Sequence, residues 1–323
     1  SYNSAGQLIT ATSAVSARAL HFTWTTPALA QYPHVASVTT DDATPGDPST
    51  ALTWTYSYSG DDLTSVCPPT SPSSCTTYSY TAGSHFPTAV LDAGPHSYWR
   101  MDDTSGTTAA DGVTANEGSD NGTYSNVTLG QPGPLPGSGA TSASFNGTSS
   151  YLNLPSDLVY QSSYATISMW FKTTSTSAGM LFSTGHSAPG TASPSSGAMP
   201  VLYVGSDGHL YGHFWNNTVP GISSAGKVND GAWHYVVLTS AGNTQTLYLD
   251  GTKVGALSGQ IADVDPLDMI GTGVFNNDGW PAAPAGNTWG YFSGQISDAA
   301  FSTQYLTPAQ AGVLYATWPV ISS

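Results

Sequence analysis

Apolar and polar residues alternate over much of the chain. Leu20, Phe22 and Trp24 alternate with His21, Thr23 and Thr25, and Trp54, Tyr56 and Tyr58 alternate with Thr55 and Ser57. Tyr78 and Tyr80 continue the same pattern. A period of two puts successive side chains on opposite faces, so these segments predict half-buried strands. A loose repeat runs through the first part: Tyr2 to Leu8, Tyr58 to Val66 and Tyr80 to Val90 each read as an aromatic strand end, a Gly turn and a fresh apolar strand. Further on, Ala143-Ser-Phe145 meets Asn146-Gly147 and then Tyr151 to Leu154. Ile167, Met169 and Phe171 face one way, and Ser168, Trp170 and Lys172 the other. Leu202 to Val204, Ser206-Asp-Gly and His209 to Trp215 predict a hairpin. Trp233 to Leu238 and Thr246 to Leu249 predict a second, and Asp250-Gly251 turns into Lys253-Val254. One helix is predicted at the end: Thr307 as N-cap, Pro308 at the first helical position, then Ala309 to Trp318. Short strands at this spacing, joined by Gly turns, make the chain all-β and its larger part a sandwich.

Composition agrees. Only 8% of the 323 residues are charged, and Glu117 is the single glutamate, whereas 18 Tyr and 9 Trp supply aromatic surface. That is a composition of strands and turns. The net charge of −15, with five scattered Lys and Arg, excludes nucleic acid as a partner and disfavours anionic membrane. No apolar stretch of about 18 residues is present, so no membrane insertion is expected. Ser1 begins in mid-pattern, which reads as a piece of a longer exported protein. Cys67 and Cys75 flank a Pro- and Ser-rich loop. Two free thiols or a disulfide are both open there, and an exposed loop between strands in an extracellular protein favours the disulfide.

Candidate chemistry is sparse. Retaining glycoside hydrolysis needs two carboxylates about 5 Å apart, and a single glutamate removes its Glu-based form. Asp61-Asp62 and Asp102-Asp103 are neighbours, which on a strand point to opposite faces. His209 and His213 would lie ~13 Å apart on a strand, too far for one metal. With Tyr211 and Trp215 they share a predicted face, which is either a sugar-stacking platform or a surface packed under a loop. Asn276, Asn277 and Asp278 precede Trp280, with Trp289 and Tyr291 beyond. Amides and carboxylates can bind sugar hydroxyls while an indole stacks on the ring. Turn chemistry anchored by Trp280 is the alternative. Asp263, Asp265 and Asp268 read as a solvated turn or, less simply, a cation site.

Tyr2 to Thr10, Ala19 to Trp24 and Tyr58 to Val66 resemble the YD repeats of actinobacterial RHS proteins, although Tyr-Asp is replaced by Tyr-Asn and Tyr-Ser. Such repeats build a coiled β-ribbon. Ser97-Tyr-Trp-Arg-Met101, Ser105 to Asp111, Asn121 to Tyr124, Ala143 to Gly147, Asn229 to His234, Leu247 to Gly251 and Gly294 to Asp298 resemble the laminin-G-like, concanavalin A-like jelly-roll family. The resulting organisation is a YD-repeat-like β region over 1–95, a laminin-G-like sandwich over 96–318 and a tail over 319–323. The second resemblance implies secretion and Ca²⁺ or glycan binding. It places a calcium site where Asp111 to Asn121 meets the late strand, with Asp111, Glu117, Asp120, Asn121 and Asp298 as ligands. The family's usual late Asp-Glu pair is Ser297-Asp298 here, and a loop held by Asn and Gly turn bonds without metal is the alternative. The expectation for the whole is a non-catalytic glycan- or matrix-binding module of a secreted RHS-type surface protein, meeting a carbohydrate or cell-surface ligand. The ligand contacts are expected from Trp215, Asn276, Asn277, Asp278, Trp280 and Trp289. A structural spacer in an RHS shell and a hydrolase are the alternatives.

Overall fold

A computed structural model describes residues 1–318 except 29, 31, 60–61, 71–73, 79–83, 136–138, 160–163 and 263–264. Tyr80, Asp61 and Asp263, and the tail over 319–323, therefore lie outside the described residues. The chain forms two compact units, Ser1–Ala82 and Gly83–Ile321.

The first unit is a six-stranded antiparallel sheet in chain order: β1 (Thr10–Thr12), β2 (Ala19–Thr25), β3 (His34–Thr40), β4 (Thr53–Ser59), β5 (Asp62–Cys67) and β6 (Thr76–Thr77). The predicted alternation is seen in part of β2, where Phe22 and Trp24 are half-buried and His21, Thr23 and Thr25 exposed, whereas Leu20 is exposed. The Tyr2 turn is held by its own side chain chemistry, since Asn3 Oδ1 accepts the Ala5 and Gln7 amides. Cys67, at the end of β5, is disulfide-bonded to Cys75, just before β6. Strand β6 is shorter than the sequence predicts and stops before Tyr78, which is exposed.

The second unit is the predicted sandwich. Its strands are β7 (Ser97–Trp99), β8 (Thr108–Ala109), β9 (Gly122–Ser125), β10 (Thr128–Pro132), β11 (Thr141–Asn146), β12 (Tyr151–Asn153), β13 (Tyr164–Lys172), β14 (Gly179–Gly185) and β15 (Ala198–Val204). They continue as β16 (His209–Gly212), β17 (Ile222–Lys227), β18 (His234–Ala241), β19 (Thr244–Leu249), β20 (Thr252–Ser258), β21 (Leu267–Ile270), β22 (Val274–Phe275), β23 (Thr288–Trp289) and β24 (Ser293–Ser302). Front-sheet order is β10-β11-β24-β13-β18-β19-β20, with β7 also on β24, and back-sheet order is β17-β16-β15-β14-β21-β12-β9-β8. Both sheets are antiparallel.

Alternation along the front sheet feeds two separate cores. Ile167, Met169 and Phe171 of β13 and Val236 and Leu238 of β18 pack inward against Leu152, Phe182, Leu202 and Ile270 of the back sheet. The intervening Trp170, Tyr235 and Val237 face outward, into a second cluster closed by two helices. One is the predicted helix, α2 (Pro308–Ala316), whose Thr307 and Gln310 form a reciprocal capping box. The other, α1 (Phe86–Asp92), replaces the strand expected after the third repeat. Pro87 suits a first helical turn, and Phe86 and Val90, four apart, bury together on the outer core. A second correction concerns His209 to Trp215, where the strand ends at Gly212. No helix among the described residues is long and apolar enough to cross a membrane.

Candidate functional site

The connection between β21 and β24 folds over the back sheet and carries most of the residues singled out as ligand contacts. It leaves β21 at Gly271, whose φ of +82° and closeness to the Phe145 ring (2.4 Å from where a Cβ would stand) leave no room for a side chain. It then forms the small β22–β23 hairpin. Phe275 of β22 is fully buried, edge-on to Tyr203 at 5.1 Å. Asn276 is the hub of the loop that follows. Its Nδ2 donates to the Ser196 and Ala198 carbonyls at 3.0 and 3.1 Å. Its Oδ1 accepts the Trp280 indole N–H at 2.7 Å and the Asp278 amide at 3.1 Å. Trp280 lies on His213 and Trp215, with ring centroids 5.5 and 6.1 Å apart. Tyr203 donates to the Pro281 carbonyl, and Ser206 to the Ala282 carbonyl. The face carrying Tyr211, His213 and Trp215 is thus packed under this loop, the second of the two readings the sequence allowed.

Of the six residues expected to touch a ligand, Asn276 and Trp280 are buried, at 7% and 6% exposure, and serve as the loop's internal frame. Trp215 is half-buried against Trp280. Asn277 and Asp278 are exposed, and Trp289 is half-exposed. The Trp289 and Tyr291 rings stand 6.1 Å apart at 33°, and the Trp289 N–H donates to the Thr191 carbonyl at 2.9 Å. Asn277 Nδ2 donates to Asn287 Oδ1 at 3.4 Å, and Asn287 Nδ2 to the Pro194 carbonyl at 3.4 Å. The result is a rim of exposed amides beside a tilted ring pair, braced by the 186–197 loop. The contribution of Asn287 and of that loop was not visible in the sequence, because a Pro-, Gly- and Ser-rich run carries no period to place it.

The expected calcium ligands fall into three groups. Asp111, Asp120 and Asn121 converge with Asn116, which donates from Nδ2 to Asp111 Oδ2 at 2.6 Å and to Asp120 Oδ2 at 3.3 Å. Asp111 Oδ1 also accepts the Tyr98 and Val113 amides, and Asn121 Oδ1 accepts the Asp111 amide. Asp120 Oδ2 accepts from Ser97 at 2.6 Å and lies 3.1 Å from His96 Nδ1. Glu117 is exposed, in a left-handed turn after a short 3-10 segment. Asp298 is fully buried in β24, bonded to the Tyr98 hydroxyl and to Ser297 Oγ. Burial pushes its carboxyl up to about 6 against those hydrogen bonds and Arg100. Tyr98 joins the groups, its amide on Asp111 and its hydroxyl on Asp298. Among the described residues, no three His, Cys, Asp or Glu side chains are grouped as a metal-ligand set.

The neighbours Asp102 and Asp103 have separate partners. Asp102 pairs with Arg100 at 2.9 Å. Asp103 accepts from the Tyr124 hydroxyl at 2.9 Å, and burial raises its carboxyl.

Residues 146–312 match the Laminin_G_3 family model, described as the concanavalin A-like lectin/glucanases superfamily. No curated protein matches the chain. Among solved structures, a Trypanosoma rangeli sialidase in complex with 2,3-difluorosialic acid is similar at 13% identity, over 69% of this chain and 32% of its own, with a TM-score of 0.48. The binding domain of botulinum neurotoxin serotype D is similar at 11% identity, over 71% of this chain and 52% of its own, with a TM-score of 0.46. Domain 4 of AbnA, an extracellular arabinanase from Geobacillus stearothermophilus, in complex with arabinotriose, is similar at 16% identity over 73% of this chain and 97% of its own, with a TM-score of 0.36. The chain thus spans about a third of the sialidase and about half of the toxin binding domain.

Proposed function

The chain belongs to the concanavalin A-like lectin/glucanases superfamily through its Laminin_G_3 domain, and from that premise we propose that it is a non-catalytic glycan- or matrix-binding module of a secreted protein. The observation that carries this reading is the rim around Trp289. Two half-exposed rings, fixed at 33° by hydrogen bonds and packing, stand beside the exposed amides of Asn277 and Asn287 and the carboxylate of Asp278. A sugar ring offers an apolar face to an indole and hydroxyls to amides, and a rim held in place in advance loses little freedom on binding. Trp289, Asn277 and Asp278 make the contacts. Asn276, Trp280 and Trp215 hold the loop that presents them. Glu117 is the single glutamate and lies in the Asp111 loop, so the pair of glutamates a Glu-based retaining hydrolase needs is missing, which supports recognition over that chemistry. The disulfide supports export, and the repeat-like first unit supports a larger RHS-type chain as the setting.

A glycan array followed by titration tests the reading. Trp289→Ala and Tyr291→Ala should each weaken binding of the best hit by roughly 1 kcal/mol, about fivefold or more, with no release of reducing sugar by the wild type. Unchanged affinity in both variants places the site elsewhere.

A second element of the proposal is calcium at Asp111 and Asp120. Two carboxylates face one neutral amide there, and their bonded neighbours include no Lys or Arg. A bound Ca²⁺ would neutralise the pair and tie the loop to the sheet. Asp111, Asp120 and Asn121 are the side chains that would hold it. Added Ca²⁺ should then raise the melting temperature after EDTA treatment, by an increment that Asp111→Ala reduces.

A further inference from the structure

A second pair of aromatic rings stands at the other end of β24 from the Trp289 rim. Tyr291 lies two residues before that strand and Tyr305 three residues after it. The ten residues of β24 span about 30 Å between them. Tyr305 meets Tyr164, the first residue of β13, with ring centroids 5.9 Å apart and planes at 33°. That is close to the geometry of Trp289 and Tyr291, at 6.1 Å and 33°. Tyr164 and Tyr305 are 46% and 45% exposed and belong to neither core. Single exposed rings are commonplace, but two held side by side make a flat apolar surface.

The loop that presents Tyr305 is fastened from below. Thr166 of β13 and Thr239 of β18 are buried, with their hydroxyls 2.8 Å apart. The Thr166 hydroxyl donates to the Gln304 carbonyl at 2.7 Å, and the Leu306 amide donates to Thr239 Oγ1 at 3.0 Å. A hydroxyl has one hydrogen, so Thr239 must donate to Thr166, and a directed relay runs from the Leu306 amide to the Gln304 carbonyl. The Gln304 amide adds a bond to Ser302 Oγ at 3.1 Å, and Leu306 is buried in the outer core. Both neighbours of Tyr305 are therefore pinned while its own side chain is left in solvent.

The surroundings are hydroxyls and amides. Thr303 and Gln304 are exposed beside Tyr305. Asn243 and Thr244 are exposed at the same end of the front sheet, where Tyr164 pairs with Ala241 and Ala241 with Thr244. Lys172 and Lys253 stand toward the opposite ends of β13 and β20. Such groups suit the hydroxyls of an uncharged sugar and offer no cation to a carboxylate or phosphate.

We propose that Tyr164 and Tyr305 form a second glycan platform, for neutral sugars, so that the sandwich grips a polymeric glycan at two points, one at each end of β24. The proposal rests on the glycan reading of the Trp289 rim and adds the class of ligand to it: an uncharged polysaccharide, long enough or densely enough displayed to meet both. Two weak contacts on one rigid strand act as a strong one, because the second forms at high effective concentration. A short oligosaccharide fills each separately.

The test is affinity electrophoresis and calorimetric titration of the full chain with galactomannan, dextran and mixed-linkage β-glucan, and with polygalacturonate as the charged control. At least one neutral polymer should bind the wild type. The Tyr164→Ala, Tyr305→Ala double variant and Trp289→Ala should each weaken that binding by about tenfold or more, whereas Tyr305→Phe, which keeps the ring, stays close to wild type. A trisaccharide of the same polymer should titrate two equivalents into the wild type and one into the double variant or Trp289→Ala. A double variant unchanged in affinity and stoichiometry, beside a weakened Trp289→Ala, overturns the second platform and leaves the rim reading standing. Loss in the double variant alone upholds the tyrosine platform as a single site and overturns the rim. Binding to none of the neutral polymers, or tighter binding to polygalacturonate, overturns the proposal.

Discussion

His213 and His234 titrate on opposite sides of the ordinary imidazole range. His213 is almost fully buried, and that burial pushes it down to about 4 despite its bond to the Thr218 carbonyl. The ring is also boxed in, since a Cβ on Gly221 would stand 2.1 Å from its Nδ1. Burial acts against charge on His234 too, but hydrogen bonds and attraction from Asp250 and Asp230 outweigh it and hold the group above its ordinary value. For His213 the native state favours the neutral ring. Its contribution is whole above the unfolded value near 6.5 and is lost as pH falls through 6.5 toward 4, by roughly 3 kcal/mol at most. For His234 the native state favours the cation. Its contribution is whole below about 6.5 and is lost as pH rises through the raised folded value. Urea melts from pH 4 to 9 should therefore show stability falling on both sides of a maximum near neutrality. His213→Gln should flatten the acid limb and His234→Gln the alkaline limb. A slope unchanged by either substitution removes that histidine as its source.

Among the elements, the two helices show how local and tertiary causes divide. α2 is specified locally by its capping box and its proline, and Thr307→Ala should cost about 1 kcal/mol by removing one capped amide. α1 is short, and its start is held by one side-chain bond, from the Phe86 amide to Ser84 Oγ at 3.1 Å, so packing must do most of the holding. Phe86 meets Trp170 and Tyr235 edge-on, at 5.7 and 5.1 Å, in the outer core. Phe86→Ala should cost about 3–5 kcal/mol and release the helix. Guanidinium melts of the two variants check both values, and equal losses would contradict this division.

The two units differ in what stabilises each. The second has two cores, whereas no described residue of the first is fully buried. A single-layer sheet without a core opens more readily, because its backbone bonds lie near solvent. Limited proteolysis should therefore cut within residues 1–82 first and leave a resistant fragment starting near α1. The disulfide closes a loop between strands of that weaker unit, and reducing it should destabilise the unit by roughly 2–3 kcal/mol, seen as faster cleavage there. Cleavage that begins in the sandwich, or is indifferent to reductant, would count against this ranking.

Local information carried much of the sandwich. Alternation placed β13 and β18 and their two faces, Asp250-Gly251 marked a hairpin turn, and Thr307-Pro308 opened α2, because period and turn chemistry act over a few residues. Cys67 and Cys75 were legible for the same reason. The candidate site was legible only as composition. Which of Asn276, Asn277, Trp280 and Trp289 meet solvent depends on a loop folding back over residues some 80 positions earlier, as when Asn276 donates to the Ser196 and Ala198 carbonyls. The same holds for Phe86, whose repeat-like setting suggested a strand until Trp170 and Tyr235 offered it a pocket, and for Asp268. Nothing near Asp268 in sequence distinguishes a turn acid from one facing the core. Only the register of β21 against β14 turns it inward, since a sheet's pairing, and not its local pattern, decides what lies beside each side chain.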